Sequence, residues 1–440
     1  MKRFSLLLLV LSFSTASFSQ NVISLFSKAN SFFYYMEAGK YDTAHMYFDA
    51  AEQAKVSPEN LKQIWDNVKE KFGAVKSIDA VSSKVQGEFF TVTVDGSFEK
   101  ADQIFILGFN KSEKLVGLFM PPKAATYTLP SYADTTKYKE ESLYLKTKNR
   151  ELAAIVTTPK NVSKFPIVVL VHGSGPSDMD QTVGANKPFK DIAVGLAAKG
   201  IATVRYVKRT LVYPNEFTKA FTVKEEVTDD ALAAIALAKT IKGVDSKNIY
   251  LMGHSLGGML APQLATLSSD LSGIIIAAGP ARKLTDIIID QNKYFFDLAK
   301  DTTEASKARL DEVIAEVSKS KITSLGTTIK PDSIIIGLPA AYWADLNSYD
   351  QVAAAKKIAK RIFVLQGGND FQVGQTDYNV WDAALNKKKG ASLKFYPELN
   401  HLLTSQTEKG NTSQYQVPAN VSEKLIDDIA LWVKGQPITP

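Results

Sequence analysis

The sequence predicts an α/β protein in which a mostly parallel sheet with a helical insertion follows a small α+β domain. From about residue 141 onward, short apolar runs rich in β-branched residues alternate with helical segments, which is typical of parallel strands buried on both faces. The helix-rich sequence of 282–360 interrupts this alternation and is too long for an ordinary connection. Before residue 121, helical periodicity gives way to a period of two, which indicates helices followed by an antiparallel sheet.

Residues 1–19 predict a secretory signal peptide. A basic start is followed by an apolar run that ends near Leu11 and by small residues up to Ser19. The apolar run is too short to span a bilayer, and no other segment of the chain is predicted to span one. We therefore expect an exported protein, periplasmic or secreted, with cleavage near Ser19.

The composition excludes several classes of function. The 440 residues contain no cysteine, which rules out disulfides, thiol catalysis, thiolate metal sites and a lipid anchor on cysteine. The net charge is only +6, and the compact basic run Lys387-Lys-Lys389 is typical of a solvated helix end. No nucleic-acid partner is expected.

The small α+β domain is predicted over residues 22–121. A helix is expected to begin at Pro58, and the aromatic stripes of the helices are typical of a core rather than of a ligand site. Meander strands are predicted at 89–94, 104–109 and 115–119. A linker at 122–140 then leads to the larger domain, 141–440.

The larger domain is predicted to contain seven strands and five helices outside its insertion. The strands are expected at 152–157, 167–171, 201–206, 249–252, 273–278, 362–366 and 393–396. The helices are expected near 188–199, 224–242, 256–268, 376–388 and 420–434. The insertion at about 282–360 is expected to form a cap over the carboxyl ends of the strands, where ligands bind in such sheets.

The candidate nucleophile is Ser255, in Gly253-His-Ser-Leu-Gly257. The motif follows an apolar strand and opens a helix, so it predicts a sharp turn that exposes the serine hydroxyl. Side chains at positions 253 and 257 would clash with the crossing backbone, which explains the two glycines.

The candidate base is His401, chosen from the four histidines of the chain. His45 belongs to the small domain, His172 to a glycine loop, and His254 to the turn itself, where its side chain must point away from Ser255. His401 follows the last predicted strand, from which a loop can bring its side chain back over the sheet.

The candidate acid is Asp370, which follows a strand and a Gly-Gly-Asn turn between the serine and the histidine in chain order. Glu398 and Asp350 are weaker alternatives, because the first is too near His401 and the second lies in the cap.

The oxyanion site needs two converging backbone N–H groups. We expect one from Leu256 and the other from Ser174 in the loop His172-Gly-Ser-Gly-Pro176, with Gly173 as the alternative. The loop lacks the third glycine of a dinucleotide fingerprint. Asp178 and Asp180 are more typical of turn residues than of a metal pair. No metal or cofactor is predicted.

Taken together, these four motifs resemble the α/β-hydrolase superfamily. More narrowly, the chain is similar to exported bacterial esterases of the serine aminopeptidase-like (S33-type) group, in which a DUF3887-like domain precedes the hydrolase. The resemblance covers nearly the whole mature chain. It implies an α/β-hydrolase fold, a triad of Ser255, Asp370 and His401, and hydrolysis of carboxylic esters through an acyl-enzyme.

The chain departs from the relatives' pattern in two places. The charged segment after the oxyanion loop is reduced to Asp178-Met-Asp180, and 205–210 reads Arg-Tyr-Val-Lys-Arg-Thr where relatives commonly have Arg-Tyr-Asp-Lys-Arg-Gly. The missing aspartate raises the question of whether a supporting ion pair forms. The triad is untouched.

The leading hypothesis is a serine esterase for small esters with short to medium acyl groups. The cap residues Tyr342, Trp343 and Phe295 are expected to shape the acyl pocket or to pack the cap. An aminopeptidase, acyltransferase or thioesterase could use the same triad, and Asp345 or Asp350 would then be the candidates for anchoring a free amine. A third hypothesis is a catalytically silent hydrolase scaffold whose N-terminal domain binds a partner.

Overall fold

The computed structural model describes residues 17–86, 89–121 and 126–438. The chain divides into two compact units, Met1–Ala124 and Ala125–Pro440. The first sixteen residues of the expected signal peptide lie outside the described residues. Within the described ranges, no helix combines the length and the apolar character needed to cross a membrane.

The first unit is a set of helices followed by a four-stranded antiparallel meander. The helices are α1 (Ser17–Glu37), α2 (Tyr41–His45), α3 (Ala50–Gln53) and α4 (Pro58–Phe72). The strands pair in chain order as β1 (Val75–Gln86), β2 (Phe89–Phe98), β3 (Gln103–Phe109) and β4 (Leu115–Phe119). The predicted aromatic core is present, because Phe32, Phe33, Trp65 and Phe105 are buried in one cluster. The predicted α+β architecture is confirmed.

The second unit is built on an eight-stranded sheet in the order β14-β13-β10-β9-β7-β8-β6-β5. The strands are β5 (Tyr138–Thr147), β6 (Arg150–Pro159), β7 (Phe165–Val171), β8 (Ala202–Tyr206), β9 (Val244–His254), β10 (Gly273–Ala277), β13 (Arg361–Gly367) and β14 (Ala391–Tyr396). Adjacent strands of the sheet are parallel from β8 across to β14. Strand β6 is antiparallel to β8, and β5 is antiparallel to β6. The sheet is mostly parallel, as predicted.

Helices pack on both faces of this sheet. They are α5 (Pro188–Ala198), α6 (Arg209–Val212), α7 (Asp229–Thr240), α8 (Leu256–Leu267), α13 (Gln375–Leu385) and α14 (Glu423–Val433). Where the sequence predicted a continuous helix over 224–242, one π-helical turn, Lys224–Thr228, precedes α7. Two separate apolar clusters, one on each face, form the core.

The segment assigned to a linker by sequence is partly structured. Strand β5 begins at Tyr138, and the residues before it are tied to the second unit. Tyr127 donates a hydrogen bond to Asp191 at 2.7 Å, and Tyr132 donates one to the carbonyl oxygen of Val421 at 2.7 Å. Residues 126–137 therefore form a strap on the second unit.

The insertion leaves the sheet after β10 and returns at β13, and these two strands are parallel neighbours. It contains α9 (Leu284–Ala299), α10 (Glu304–Lys319), the short pair β11 (Ile334–Ile335) and β12 (Leu338–Pro339), α11 (Ala340–Ser348) and α12 (Gln351–Lys357). The helical insertion predicted at this place is confirmed.

Candidate active site

The strand-to-helix turn places Ser255 between the end of β9 and the start of α8. Its backbone has φ 54° and ψ −119°, a conformation that costs energy for any residue with a Cβ. A Cβ on Gly253 would lie 2.1 Å from the carbonyl oxygen of Gly257, and one on Gly257 would lie 2.4 Å from that of Val171. Both distances are far below van der Waals contact, so the turn requires glycine on either side of the serine.

His401 and Asp370 form a buried hydrogen-bonded pair. The Nδ1 atom of His401 lies 2.7 Å from Oδ2 of Asp370, which is completely buried. The other oxygen of Asp370 accepts hydrogen bonds from the backbone N–H groups of Gln372 and Val373 at 2.7 and 2.8 Å. Gln366 donates a further bond to Oδ2 at 3.0 Å. These four contacts fix the carboxylate and, through it, the plane of the imidazole ring.

Ser255 and His401 line one cavity of about 800 Å³. Its walls come from the oxyanion loop, the insertion and the loops after β13 and β14. Apolar side chains of one wall are Phe217, Phe221, Leu284, Ile287, Ile336 and Leu338. Among the described residues that line the cavity, Glu226 is the only carboxylate, and it is paired with Lys208. The cavity therefore presents no unpaired charge to a ligand.

The expected oxyanion donors surround the serine. Leu256 is the first residue of α8, so its N–H group is not used within the helix, and the positive end of the helix dipole lies there. Gly173 and Ser174 line the same cavity. A Cβ on Gly173 would lie 3.1 Å from the Cβ of Ser255, so this loop passes directly beside Ser255.

His254 has a role that the sequence did not predict. Its Nε2 atom lies 2.7 Å from the carbonyl oxygen of His401, and its Nδ1 atom lies 2.7 Å from Nε2 of Gln181. Burial lowers its pKa to about 3, so the ring is neutral. The neutral ring then carries its proton on Nε2, donates to His401 and accepts from the Gln181 amide. His254 thus fixes the backbone of the loop that carries His401.

The segment that departs from the relatives' pattern forms buried ion pairs without an aspartate at position 207. Arg205 contacts Asp180 at 2.9 Å and Glu140 at 2.6 Å. Further along, Lys208 contacts Glu226 at 2.7 Å. Arg209 pairs with Asp230. Every basic residue of the segment is therefore paired with a carboxylate.

The two aspartates after the oxyanion loop stabilise the turn that follows it. Asp178 accepts hydrogen bonds from the N–H groups of Asp180 and Thr182 at 3.1 and 2.9 Å. Asp180 pairs with Arg205 and, at 3.1 Å, with Lys187. Within the part of the chain that the structure describes, no group of three or more acidic or histidine side chains is arranged to hold a metal ion.

The residues proposed for substrate contact have different surroundings. Tyr342 and Trp343 line the cavity, but both polar atoms are already bound, to Glu226 and to the carbonyl oxygen of Ile335. Only their rings are therefore available to a ligand. Phe295 does not line the cavity and packs against Phe371 with ring centroids 5.5 Å apart.

The two candidate amine anchors and the histidines His172 and His45 do not line the cavity. Asp345 and Asp350 do not line the cavity, and Asp350 caps α12 by accepting a hydrogen bond from the N–H of Ala353. His172, the first residue of the oxyanion loop, is buried and does not line the cavity, and burial lowers its pKa to about 3. His45 belongs to the first unit.

Comparisons with known proteins match both units. The sequence model of the alpha/beta hydrolase family matches residues 168–408, and that of a protein of unknown function, DUF3887, matches residues 29–118. Esterase EstD of Thermotoga maritima is 34% identical over 382 residues, which are 87% of this chain and 88% of the relative.

Two solved structures also align with this chain. Est1E from Butyrivibrio proteoclasticus aligns with a TM-score of 0.43 and 17% identity, over 67% of this chain and 99% of its own. The acylaminoacyl peptidase of Pyrococcus horikoshii aligns with a TM-score of 0.46 and 13% identity, over 82% of this chain and 56% of its own.

Proposed function

The chain belongs to the alpha/beta hydrolase family, and on that basis we propose that it is a serine carboxylesterase that cleaves small esters through an acyl-enzyme. The observation that carries the proposal is the convergence of Ser255 and His401 in one cavity, with Asp370 hydrogen-bonded behind the histidine at 2.7 Å. Ser174 of the oxyanion loop lines the same cavity, and the first N–H group of α8, that of Leu256, follows Ser255 directly.

In the proposed first step, His401 removes the hydroxyl proton of Ser255 as its oxygen attacks the ester carbonyl. The carbonyl oxygen becomes an alkoxide, which the N–H groups of Leu256 and Ser174 stabilise. Asp370 holds the imidazolium by accepting from its Nδ1–H. When the ester bond to the alcohol breaks, His401 donates its proton to the departing alkoxide.

In the second step, water takes the place of the alcohol. His401 removes a proton from the water as its oxygen attacks the acyl-enzyme carbonyl, and a second tetrahedral alkoxide forms in the same site. Collapse breaks the bond to Ser255, which recovers its proton from His401. The products are one carboxylic acid and one alcohol, and the enzyme is regenerated.

The charge distribution of the cavity supports an ester rather than a peptide with a free amino terminus. An exopeptidase of that kind needs a carboxylate that faces the ammonium group. The only carboxylate in the lining, Glu226, is already neutralised by Lys208. An uncharged substrate with an apolar acyl group suits the apolar wall, because binding there leaves no buried charge unpaired.

The test compares the purified protein with Ser255→Ala on p-nitrophenyl acetate and butyrate. We expect hydrolysis by the parent and a loss of at least about 10³-fold in kcat for the variant, since the nucleophile is removed. Ser272→Ala is the matched control, because that serine immediately precedes β10 and does not line the cavity, so its replacement should leave kcat unchanged. Hydrolysis that survives Ser255→Ala would refute the proposal.

Two further measurements separate the alternatives. Faster turnover of aminoacyl p-nitroanilides than of matched p-nitrophenyl esters would favour the aminopeptidase. Failure of a fluorophosphonate probe to label Ser255 in the folded protein would favour the silent scaffold. We expect labelling of Ser255 and a preference for esters.

We also propose that the protein is exported, on the strength of the N-terminal signal at 1–19. Expression of the full chain in a Gram-negative host, followed by fractionation and N-terminal sequencing, tests this. We expect a periplasmic or secreted product that starts close to Gln20. An uncleaved chain in the cytoplasm would contradict it.

A further inference from the structure

A buried charged group lies directly behind the oxyanion loop. The Lys208 ammonium donates to the carbonyl oxygen of Gly173 at 2.8 Å and to Glu226 at 2.7 Å. Glu226 also accepts from the N–H of Gly175 at 2.9 Å and from the hydroxyl of Tyr342 at 2.7 Å. Lys208, Glu226 and Tyr342 are 3%, 4% and 1% exposed, so these bonds are shielded from water.

These contacts fix the direction of one peptide group. In a trans peptide the C=O and the following N–H point in opposite directions, and the described chain contains no cis peptide. Lys208 holds the carbonyl of Gly173 from outside the cavity lining, whereas Ser174 lines the cavity. The N–H of Ser174 is therefore directed away from Lys208, and Ser174 lines the same cavity as Ser255 and His401.

The competing donor points the other way. The carbonyl oxygen of His172 lies 2.6 Å from where a Cβ of Gly257 would be, so this carbonyl faces the nucleophile turn. The N–H of Gly173 belongs to the same peptide and is directed away from that turn. Of the two donors considered from the sequence, the structure favours Ser174.

We propose that Lys208, Glu226 and Tyr342 are positioning residues that hold the Ser174 N–H as the second oxyanion donor of the proposed esterase. Without them the loop of glycines at 173 and 175 could rotate its peptide groups at little cost, since glycine accepts most backbone conformations. A donor that is already oriented stabilises the alkoxide without reorganisation in the transition state.

The electrostatics of the group suit a fixed support. Burial raises the pKa of Glu226, but the Lys208 charge and hydrogen bonds from Lys208, Tyr342 and Gly175 outweigh it, so the pKa lies below its ordinary value. Glu226 is therefore ionised and balances Lys208. It lies in the π-helical turn Lys224–Thr228, a local departure from α-helix of a kind frequent at functional sites.

Tyr342 extends this support into the insertion, because it lies in α11 while its hydroxyl binds Glu226. The cap is thus connected to the oxyanion loop through the Glu226 carboxylate, which accepts from both Tyr342 and Gly175, as well as contributing to the lining of the cavity. A change in the position of α11 would be transmitted to Gly175 through a single carboxylate.

The test uses Lys208→Met, Glu226→Gln and Tyr342→Phe in the full chain, with p-nitrophenyl butyrate as substrate. We expect Lys208→Met to lower kcat between about 10- and 1000-fold with KM changed less than about threefold, since loss of an oxyanion donor acts on the transition state. Lys208→Arg keeps a donor and should recover part of kcat. Tyr342→Phe removes one oxygen and should have a smaller effect, below about 10-fold.

A boronic acid inhibitor provides the second readout, because its tetrahedral adduct with Ser255 occupies the oxyanion site. Its inhibition constant should rise by a factor similar to the loss in kcat, a correlation that loss of stability alone does not produce. Circular dichroism and thermal unfolding of each variant show which samples are folded at the assay temperature.

The chain contains a matched control in a second trio of one lysine, one carboxylate and one tyrosine. Tyr396 donates to Asp428 at 2.8 Å, and Lys394 contacts the same carboxylate at 2.8 Å, outside the cavity lining. Tyr396→Phe removes an equivalent bond and should lower the melting temperature while leaving kcat and boronate affinity unchanged.

The outcomes distinguish this proposal from the esterase proposal on which it rests. An inactive parent that fluorophosphonate does not label refutes the esterase. An active parent whose folded Lys208→Met, Glu226→Gln and Tyr342→Phe variants keep kcat and boronate affinity within about threefold refutes the positioning role alone.

Discussion

Replacement of Asp370 by asparagine is the most direct test of the triad geometry. Oδ1 of Asp370 accepts two backbone N–H groups, from Gln372 and Val373, at 2.7 and 2.8 Å. An asparagine must keep its oxygen at that position, so its NH₂ group takes the place of Oδ2 and faces Nδ1 of His401. That nitrogen then has to accept, which leaves the imidazole proton on Nε2, where a base for Ser255 needs a free lone pair.

The expected loss in kcat is about 10⁴-fold, or about 5.4 kcal/mol, the cost found when the same tautomer inversion is imposed on a serine protease triad. The NH₂ group of Gln366 donates both to Oδ2 of Asp370, at 3.0 Å, and to the carbonyl oxygen of Val373, at 2.7 Å. The bond to Val373 prevents the Gln366 amide from rotating by 180°, so its NH₂ group would face the NH₂ group of the asparagine. We expect a loss of about 1–3 kcal/mol in the free energy of unfolding as well.

Steady-state hydrolysis of p-nitrophenyl butyrate and urea unfolding of the same samples measure both quantities. Asp428→Asn is the control, because it changes an equally buried carboxylate outside the cavity, and it should reduce stability without reducing kcat. A folded Asp370→Asn enzyme with more than a tenth of the parent kcat would refute the assignment of Asp370 as the orienting acid.

Further predictions concern stability. Because burial lowers the pKa of His172 and His254 to about 3, the unfolded chain binds protons at these sites from about pH 6.5 downward and the folded chain does not. The free energy of unfolding should therefore be highest above pH 6.5 and should fall as the pH is lowered toward 3. At pH 5 the expected loss is about 2 kcal/mol for each histidine. Urea midpoints that stay constant between pH 7.5 and 5 would contradict this. Gly257→Ala should destabilise the fold by about 3 kcal/mol or more, since its Cβ would overlap backbone oxygen at 2.4 Å; an unchanged urea midpoint would argue against the described turn. Arg205→Met leaves Asp180 with only Lys187 and should cost about 3–5 kcal/mol, with partial recovery in the double variant that also carries Asp180→Asn.

The architecture and the candidate triad were predictable because their signals are local. Ser255 is identified by glycines two residues away on either side, and the parallel strands by continuous apolar runs. Strand β5 was missed because it is an edge strand whose exposed residues Lys139–Ser142 give no clear alternation. Its polar composition is indistinguishable in sequence from that of a linker.

The supporting contacts were not predictable, since they join residues distant in the chain. Tyr342 and Glu226 are 116 positions apart, and His254 and the carbonyl of His401 are 147 apart. No periodicity or spacing links such pairs. In the sequence, Lys208 is only one member of a basic segment. The departure from the relatives' pattern pointed to the absent aspartate beside it and not to the lysine.

The insertion departs from β10 and re-enters at β13, and these strands are hydrogen-bonded neighbours from Gly273 and Arg361 onward. Because the two strands are parallel, the insertion leaves at the carboxyl end of β10 and returns at the amino end of β13, so its two ends lie at opposite edges of the sheet, about 13 Å apart along the strands. The last helix of the insertion, α12, packs against α8 and α13 on the way back to β13, so the segment before α12 can change in length and sequence without removing a helix from the face of the sheet. Transplanting the corresponding segments of related enzymes between β10 and α12 offers a route to new acyl specificities, provided that each graft retains a hydroxyl where Tyr342 meets Glu226.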